Sequence, residues 1–546
     1  MATSRKRAPV AVSTGLQEHA IGGGIEGAQR NTAEMLRWSP PIQSPDAQIN
    51  AVKEMADARG RDAMQNDGLM TGAIHTHRDS IVGSQFRLIA TPDYEALGAT
   101  EDWAIEFSKI VESRFNLLAD STECWLDASG QMTFTDMIRL SVGGFVMTGE
   151  SLESAEWINE PLRPCRTAFQ MLSPTRLSNP DGMADNQNLS RGVVLNNRGA
   201  PTGYWIRSGF PGDFFSGELP AWKLIPAKTP WGRRQIIHIK EPMQPGQNRG
   251  ISDMVSVLKQ MRMTKKFGDI TLQNAVVQAT YAAAIESELP SDLVFQSMGA
   301  GQVGLGGMLE QYMTALGQYV NGAGNIAIDG VKMPHLFPGT KLSMKPAGTP
   351  GGVGTGFEES LLRHIAAPLG MSYEQFSKDY TKTNYSSARA SMSESWKYMQ
   401  SRKKVVADRK ATMNFILWFE EEVNRPDCVI PAPPGITLKK AFYDPMMREA
   451  LCACQWIGAS RGQIDEVKET QAAIMRINAG LSTYQIEAAR FGEDFRRIFA
   501  QLSRENKLKK QLGLELNTDA TKPGTNDRQQ TMSDNEDKKT EKEETE

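Results

Sequence analysis

At 546 residues the chain exceeds what one hydrophobic core usually serves, so two to four domains are expected. Forty per cent apolar and 23 per cent charged residues are ordinary globular usage, and a net charge of −3 lacks the strong basic excess of an overall electrostatic nucleic-acid binder. Five cysteines, Cys124, Cys165, Cys428, Cys452 and Cys454, are odd in number and unpaired in spacing, which reads as a protein made in a reducing cytoplasm rather than a secreted disulfide framework.

Residues 1–30 are rich in Gly, Ala, Ser and charge and read as a mobile arm. Arg5, Lys6 and Arg7 have no apolar core behind them, so no signal peptide is expected here. Residues 47–82 read as helical, 84–92 as extended and 101–119 as helical. From Cys165 to His238 the runs VVLNN, TGYWIR and QIIHIK alternate with Pro, Gly and Asn turns, a strand pattern. A single helix is expected from Ser252 to Glu288, which at the usual rise would be about 55 Å long. Its uncharged run Ile270–Ile285 holds Thr271, Gln273, Asn274, Gln278 and Thr280 and closes at Glu286, so no membrane span is expected. A Gly-rich patch, a helix near Met308–Tyr319, the strand-like NIAIDGVKMPHLF and a flexible PAGTPGGVGTG follow.

Phe357, Leu361, Ile365 and Leu369 then recur every four residues, one apolar helical face ended by Pro368 and Gly370. A polar loop, Ser377–Ser387, carries Lys378, Lys382, Asn384 and two tyrosines, and Arg389 lies beside it. A second helix follows with Met392, Trp396 and Met399 on one face. The chain is mostly helical over 386–423, a Pro-rich connector over 424–440 and helical again over 441–511. From Asn517 the tail is polar, charged and aperiodic, and is expected to be disordered.

Several motifs imitate enzyme signatures. Gly458-Ala-Ser460-Arg-Gly462 has the spacing of a nucleophile elbow, but the last histidine is His364 and the hydrolase order needs one after the serine. Ser460 reads as a helix N-cap with Gln463 at capping-box distance. Gly299-x-Gly301-x-x-Gly304 and Gly22-x-Gly24-x-x-Gly27 lack the strand that a dinucleotide site requires. No Gly-Lys pair exists, which excludes a Walker-type ATPase. His75-x-His77 points to opposite sides of a helix, and Cys452-x-Cys454 lacks zinc-knuckle spacing. No catalytic residue, metal or cofactor is expected.

The stretch Glu359–Tyr398 resembles the lambda-type portal proteins of tailed bacteriophages. Five further blocks resemble that family in its own order: Arg59–Leu88, Phe169–Pro180, His238–Met254, Tyr281–Leu289 and Gln455–Phe495. The similarity spans roughly residues 30–510. It implies an α+β portal fold assembled as a homo-oligomeric ring, a dodecamer, with wing, helical stem, clip, channel loop and crown. The expected parts are an arm at 1–30, the wing at 31–250, stem and clip at 251–335, a wing return and channel loop at 336–400, the crown at 401–511 and a tail at 512–546.

The implied role is mechanical. The ring would sit at one capsid vertex of the virion, nucleate head assembly and pass double-stranded DNA without reading its sequence. Implied partners are the terminase large subunit, the major capsid protein, a scaffold or head maturation protease, and a head-completion protein. The loop residues Lys378, Lys382, Asn384, Tyr385 and Arg389 would then face the DNA channel. Lys259, Arg262 and Lys266 share one face of the long helix, either solvated or a basic belt facing DNA or a neighbour's acids. Arg402, Lys403 and Lys404 pose the same choice. The other readings are a cryptic serine hydrolase, a nucleotide-dependent protein using the Gly-rich patches, or a different head–tail connector ring.

Overall fold

The computed structural model describes residues 37–212, 221–281, 314, 326–328, 331–333, 353–462 and 466–513. Helix α1 (Pro45–Asn66) starts on a proline behind Ser44, whose side chain accepts the Ala47 N–H. Asp67 ends it and caps α2 (Gly68–Ile81), so the expected helix over 47–82 is two helices. Strand β1 (Arg87–Ala90) and helix α3 (Glu101–Ala119) follow, the latter capped by Thr100. Thr133 and Asp136 form a reciprocal capping box on α4 (Phe134–Thr148), a helix without a counterpart in the sequence reading.

Three antiparallel strands pair in the order β3 (Thr167–Leu172), β2 (Glu150–Trp157), β8 (Ile236–Lys240). A four-stranded meander joins β4 (Leu189–Ser190), β5 (Val193–Leu195), β6 (Pro201–Arg207) and β7 (Trp222–Pro226). It closes on its own small core of Leu152, Leu177, Val193, Tyr204 and Ile206.

The expected single helix from Ser252 is broken. Ser252 accepts the Met254 N–H and caps a short 3-10 turn, Asp253–Ser256; α5 then runs from Leu258 to Tyr281. Residues 282–288 of that expectation lie outside the described residues. So do both Gly-x-Gly-x-x-Gly motifs and, apart from Thr314, the helix near 308–319. The strand-like stretch contains an antiparallel hairpin of β9 (Ile326–Ile328) and β10 (Val331–Met333).

Helix α6 (Val353–Ala366) starts inside the stretch read as flexible. A short α7 (Tyr373–Ser377) and a long α8 (Tyr385–Arg402) follow. Helix α8 passes through one π-helical segment, Lys403–Asp408, into α9 (Arg409–Asn424). Then come α10 (Leu438–Tyr443) and α11 (Pro445–Leu451).

The region read as helical over 441–511 is interrupted by β11 (Cys454–Ile457), which pairs antiparallel with β1. Helices α12 (Glu466–Asn478), α13 (Tyr484–Arg490) and α14 (Phe495–Leu512) complete the described chain. The main core is aromatic and centred on α9. Phe115 meets Trp418, Phe134 and Trp456 with ring centroids 5.2, 5.3 and 5.8 Å apart, in edge-on arrangements that add to area burial.

Two helices are poorly covered. Helix α5 buries Met261 but leaves Met263, Ile270 and Leu272 exposed. Helix α14 has no buried residue, although Phe499, Leu502, Leu508 and Leu512 mark an apolar stripe.

Candidate functional site

The polar connection between α6 and α8 is short and held at both ends. Gly370 closes the 3-10 turn Ala367–Leu369 that follows α6, with φ +63°, and a Cβ there would lie 2.2 Å from the Tyr398 ring. Glycine is therefore required by conformation and by space. The neighbouring Leu369 carbonyl accepts from His77 Nε2 at 3.0 Å. Burial, and behind it the Arg402 charge, lowers the His77 pKa to about 4 and keeps the ring neutral. His75 is exposed on the other side of α2, so the two histidines are not brought together.

Ser372 and Gln375 form a capping box on α7, and Asn384 and Ser387 form another on α8. The connecting segment is thus 378–384, shorter than the Ser377–Ser387 loop read from sequence. Lys378 adopts φ +60° and donates to Thr76 Oγ1 at 3.2 Å. Asp379 accepts from the Thr381 N–H and hydroxyl at 3.0 and 2.7 Å. Lys382 pairs with Glu359, which also pairs with Arg363 at 3.2 Å. The hydrogen bond from Lys382 holds the Glu359 carboxyl below its usual range.

Of the five loop candidates, Lys378 and Lys382 are exposed on the connection, and Asn384 serves as the α8 N-cap. Tyr385 opens α8, and Arg389 is an exposed residue on its first turns. Lys259, Arg262 and Lys266 are all exposed on α5. Helix α5 packs against α6, which carries Glu359, and Phe267 meets Phe357 edge-on with centroids 6.4 Å apart. The loop cations and the α5 cations therefore sit on elements that share α6 as a neighbour.

The run Arg402–Lys403–Lys404 divides. Arg402 binds Glu241 at 2.7 Å and also Asp253; Lys403 binds Asp408 and the Trp456 carbonyl, each at 2.8 Å. Only Lys404 is exposed. Sequence alone missed this split: Glu241, Asp253 and the Trp456 carbonyl lie far away in the chain, and only Asp408 is near.

The serine motif follows a strand. Gly458 is required by packing, since a Cβ there would come within 2.7 Å of the Ile81 carbonyl oxygen. Ser460 is exposed and followed by coil; Gln463 lies outside the described residues, and the next helix is described from Glu466. Burial pushes the Cys452 thiol far up, and Cys454 lies 3.5 Å from the Thr412 hydroxyl. Among the described residues no His, Cys, Asp and Glu cluster is set to hold a metal, and no helix is long and apolar enough to cross a membrane.

Residues 31–403 match the family described as "Phage portal protein, lambda family". The chain is 39% identical over 499 residues to the portal protein of Escherichia phage N15, covering 91% of each. It is also 39% identical over 505 residues to portal protein B of Escherichia phage lambda, covering 92% of each. Among solved structures, a chain from the virion of a native gene transfer agent particle aligns at 13% identity and a TM-score of 0.36, covering 80% of this chain and 92% of its own. The two phage relatives carry the assignment, and the chain belongs to the lambda family of phage portal proteins.

Proposed function

We propose that this chain is the subunit of a homo-oligomeric ring, a dodecamer, at one vertex of a phage capsid. The ring is the conduit through which double-stranded DNA is packaged and ejected. It nucleates head assembly with the major capsid protein and a scaffold or maturation protease, docks the terminase large subunit, and later holds a head-completion protein. Its role is structural rather than enzymatic. The observation that carries this reading is 39% identity to two phage portal proteins over more than nine-tenths of both chains.

Two features support it. The uncovered apolar residues on α5 and α14 need neighbours, which heterologous contacts in a closed ring supply. The exposed loop cations suit weak contact with phosphate, and such contact carries no sequence information. The wing belongs to 31–250 with a return near 336–376, stem and clip to 251–335, and the crown to 401–511.

Electron microscopy and native mass spectrometry of the purified protein test the assembly. A closed ring near twelve-fold is expected. A species that stays monomeric at micromolar concentration would overturn the proposal.

A further inference from the structure

Between β7 and β8 the chain makes a hairpin closed by a bridge between Lys228 and Arg234. Trp231 stands at its tip, 63% exposed, beside Gly232 at φ +96°. One side of this hairpin faces α9 and the α10–α11 segment across a groove of about 470 Å³. Lys228, Arg234, Lys404, Arg409 and Arg448 line it, with Trp231, Phe442 and Tyr443 as aromatic walls.

The groove is overcharged. Its three carboxylates are Asp408, Glu420 and Glu449. Asp408 is taken by Lys403 at 2.8 Å, and Glu420 by Arg233 at 2.8 Å. Glu449 is mostly exposed and approaches only Arg448, at 3.7 Å. Among the described residues Lys228, Arg234, Lys404 and Arg409 have no ion-pair partner, and the buried Arg448 Nε has no hydrogen-bond acceptor. Like charges set opposite each other across paired strands destabilise the fold. The folded chain thus accepts repulsion among these cations, and an anion in the groove would remove it. Guanidinium forks suit carboxylates, bound two oxygens at a time.

We propose that this groove is an anion dock and that its occupant is the acidic segment Asp534–Glu546 of this chain. That segment holds Asp534, Glu536, Asp537, Glu541, Glu543, Glu544 and Glu546 against Lys538, Lys539 and Lys542. It follows α14, which ends at Leu512. The intervening chain from 513 to 533 can span up to about 70 Å when extended. A groove of this size admits a few residues of extended peptide, whereas a DNA duplex presents its phosphates on a broad convex rod. The aromatic walls also favour a peptide with methylene stems over a bare ion.

The test uses the full-length protein and the acetylation rates of Lys228 and Lys404, read by mass spectrometry. Changing Glu541, Glu543 and Glu544 to Gln alters no residue that lines the groove. It should raise both rates several-fold, while exposed Lys109 stays constant as the internal standard. A zero-length carbodiimide should join Lys228 or Lys404 to carboxylates of 534–546 in the parent. The Arg234→Glu, Arg409→Glu double variant should lose those links while melting at or above the parent temperature. Unchanged acetylation in the tail variant, or absence of the links in the parent, overturns the proposal. Protection of the two lysines by a single-stranded oligonucleotide but not by the tail would overturn it in favour of nucleic acid.

Discussion

Arg249 and Glu150 meet at 2.6 Å with both side chains wholly buried. Arg249 comes from the His238–Met254 stretch and also donates to the carbonyls of Pro174, Leu177 and Arg191. Glu150 also binds Lys53 at 3.1 Å, His238 at 2.8 Å and the Gly250 N–H at 3.1 Å. Two of the sequence blocks that resemble the portal family, 169–180 and 238–254, are thus fastened to each other and to α1 through one ion cluster.

Breaking this cluster from one side should be costly. Arg249→Met leaves a buried carboxylate short of its main partner and should destabilise the fold by about 3–5 kcal/mol, read from urea or thermal unfolding. Burial pushes the Glu150 pKa up, but Arg249 and Lys53 outweigh it and hold the carboxyl well below its usual range. A folded pKa below the unfolded one gives stability that is present above the unfolded value and lost as pH falls through the folded one. The parent should therefore lose this contribution only in strong acid. If Arg249→Met unfolds at the parent midpoint, the cluster is not what joins these segments.

A second carboxylate has the opposite sign. Glu112 on α3 binds Arg496 of α14 at 3.1 Å and accepts the Ala90 N–H at 2.9 Å. Burial, reinforced by Asp494 and opposed by Arg496, raises its pKa to about 7. The folded state then holds more protons than the unfolded one between the ordinary glutamate value of 4.5 and about 7. Stability from this group is present below that window and is lost as pH rises through it. Glu112→Gln should reduce the stability difference between the two ends of the window by about 2 kcal/mol. Calorimetry across that range, parent against variant, checks it; parallel curves would refute it.

What sequence could show follows from where the partners lie. Helix α3 was legible because Phe107, Val111 and Phe115 bury at helical spacing. The apolar face of α6 was legible only in part: Ile365 and Leu369 are buried, yet Leu362 is buried more than Leu361, and Phe357 is 55% exposed. Strand β2, ESLESAEW, was missed because two of its innermost residues are Glu150 and Glu153, each wholly buried. Pattern reading treats such positions as surface, and only the distant partners Arg249 and Lys410 make their burial tolerable. Strand β11 was missed because its pairing partner is β1, from the other end of the chain. The loop cations were legible as exposed, whereas the anchoring of Lys382 by Glu359 was not.

Gly370 should tolerate no side chain. Gly370→Ala forces φ +63° on alanine and drives its Cβ into Tyr398. Destabilisation of about 2–3 kcal/mol is expected, since backbone strain and overpacking add. Gly435 also has a positive φ but meets nothing within 4 Å, so Gly435→Ala should cost clearly less. Equal thermal shifts for the two variants would show that the Tyr398 contact does not matter.

Ser460 should be dispensable. It is exposed and lies in coil after β11, so Ser460→Ala should change stability by no more than about 1 kcal/mol, the range of a cap at most. Ring assembly and DNA packaging should match the parent. A Ser460→Ala ring that assembles normally but packages no DNA would point to chemistry at this serine.

The loop charges give the sharpest test of the conduit. Lys378 and Lys382 are exposed, and neither lies in the core, so replacing both with Glu should leave ring formation intact. In a ring each residue recurs around the bore, and weak phosphate contacts multiply. Reversal of these charges should impair packaging or retention of full-length DNA, and more so at low salt, where screening is weakest. One confounding effect is local: Lys382→Glu also sets a carboxylate against Glu359 and releases the connection. Glu359→Gln isolates that effect, because it frees Lys382 while keeping its charge. Lys382 is exposed and Glu359 partly so, and a pair open to solvent on one side contributes little to stability, so Glu359→Gln heads should package like the parent. The measurement is packaged DNA length and leakage from heads at two salt concentrations. If the double variant matches the parent at both, or if Glu359→Gln fails as badly as the double variant, these lysines do not act on DNA through their charge.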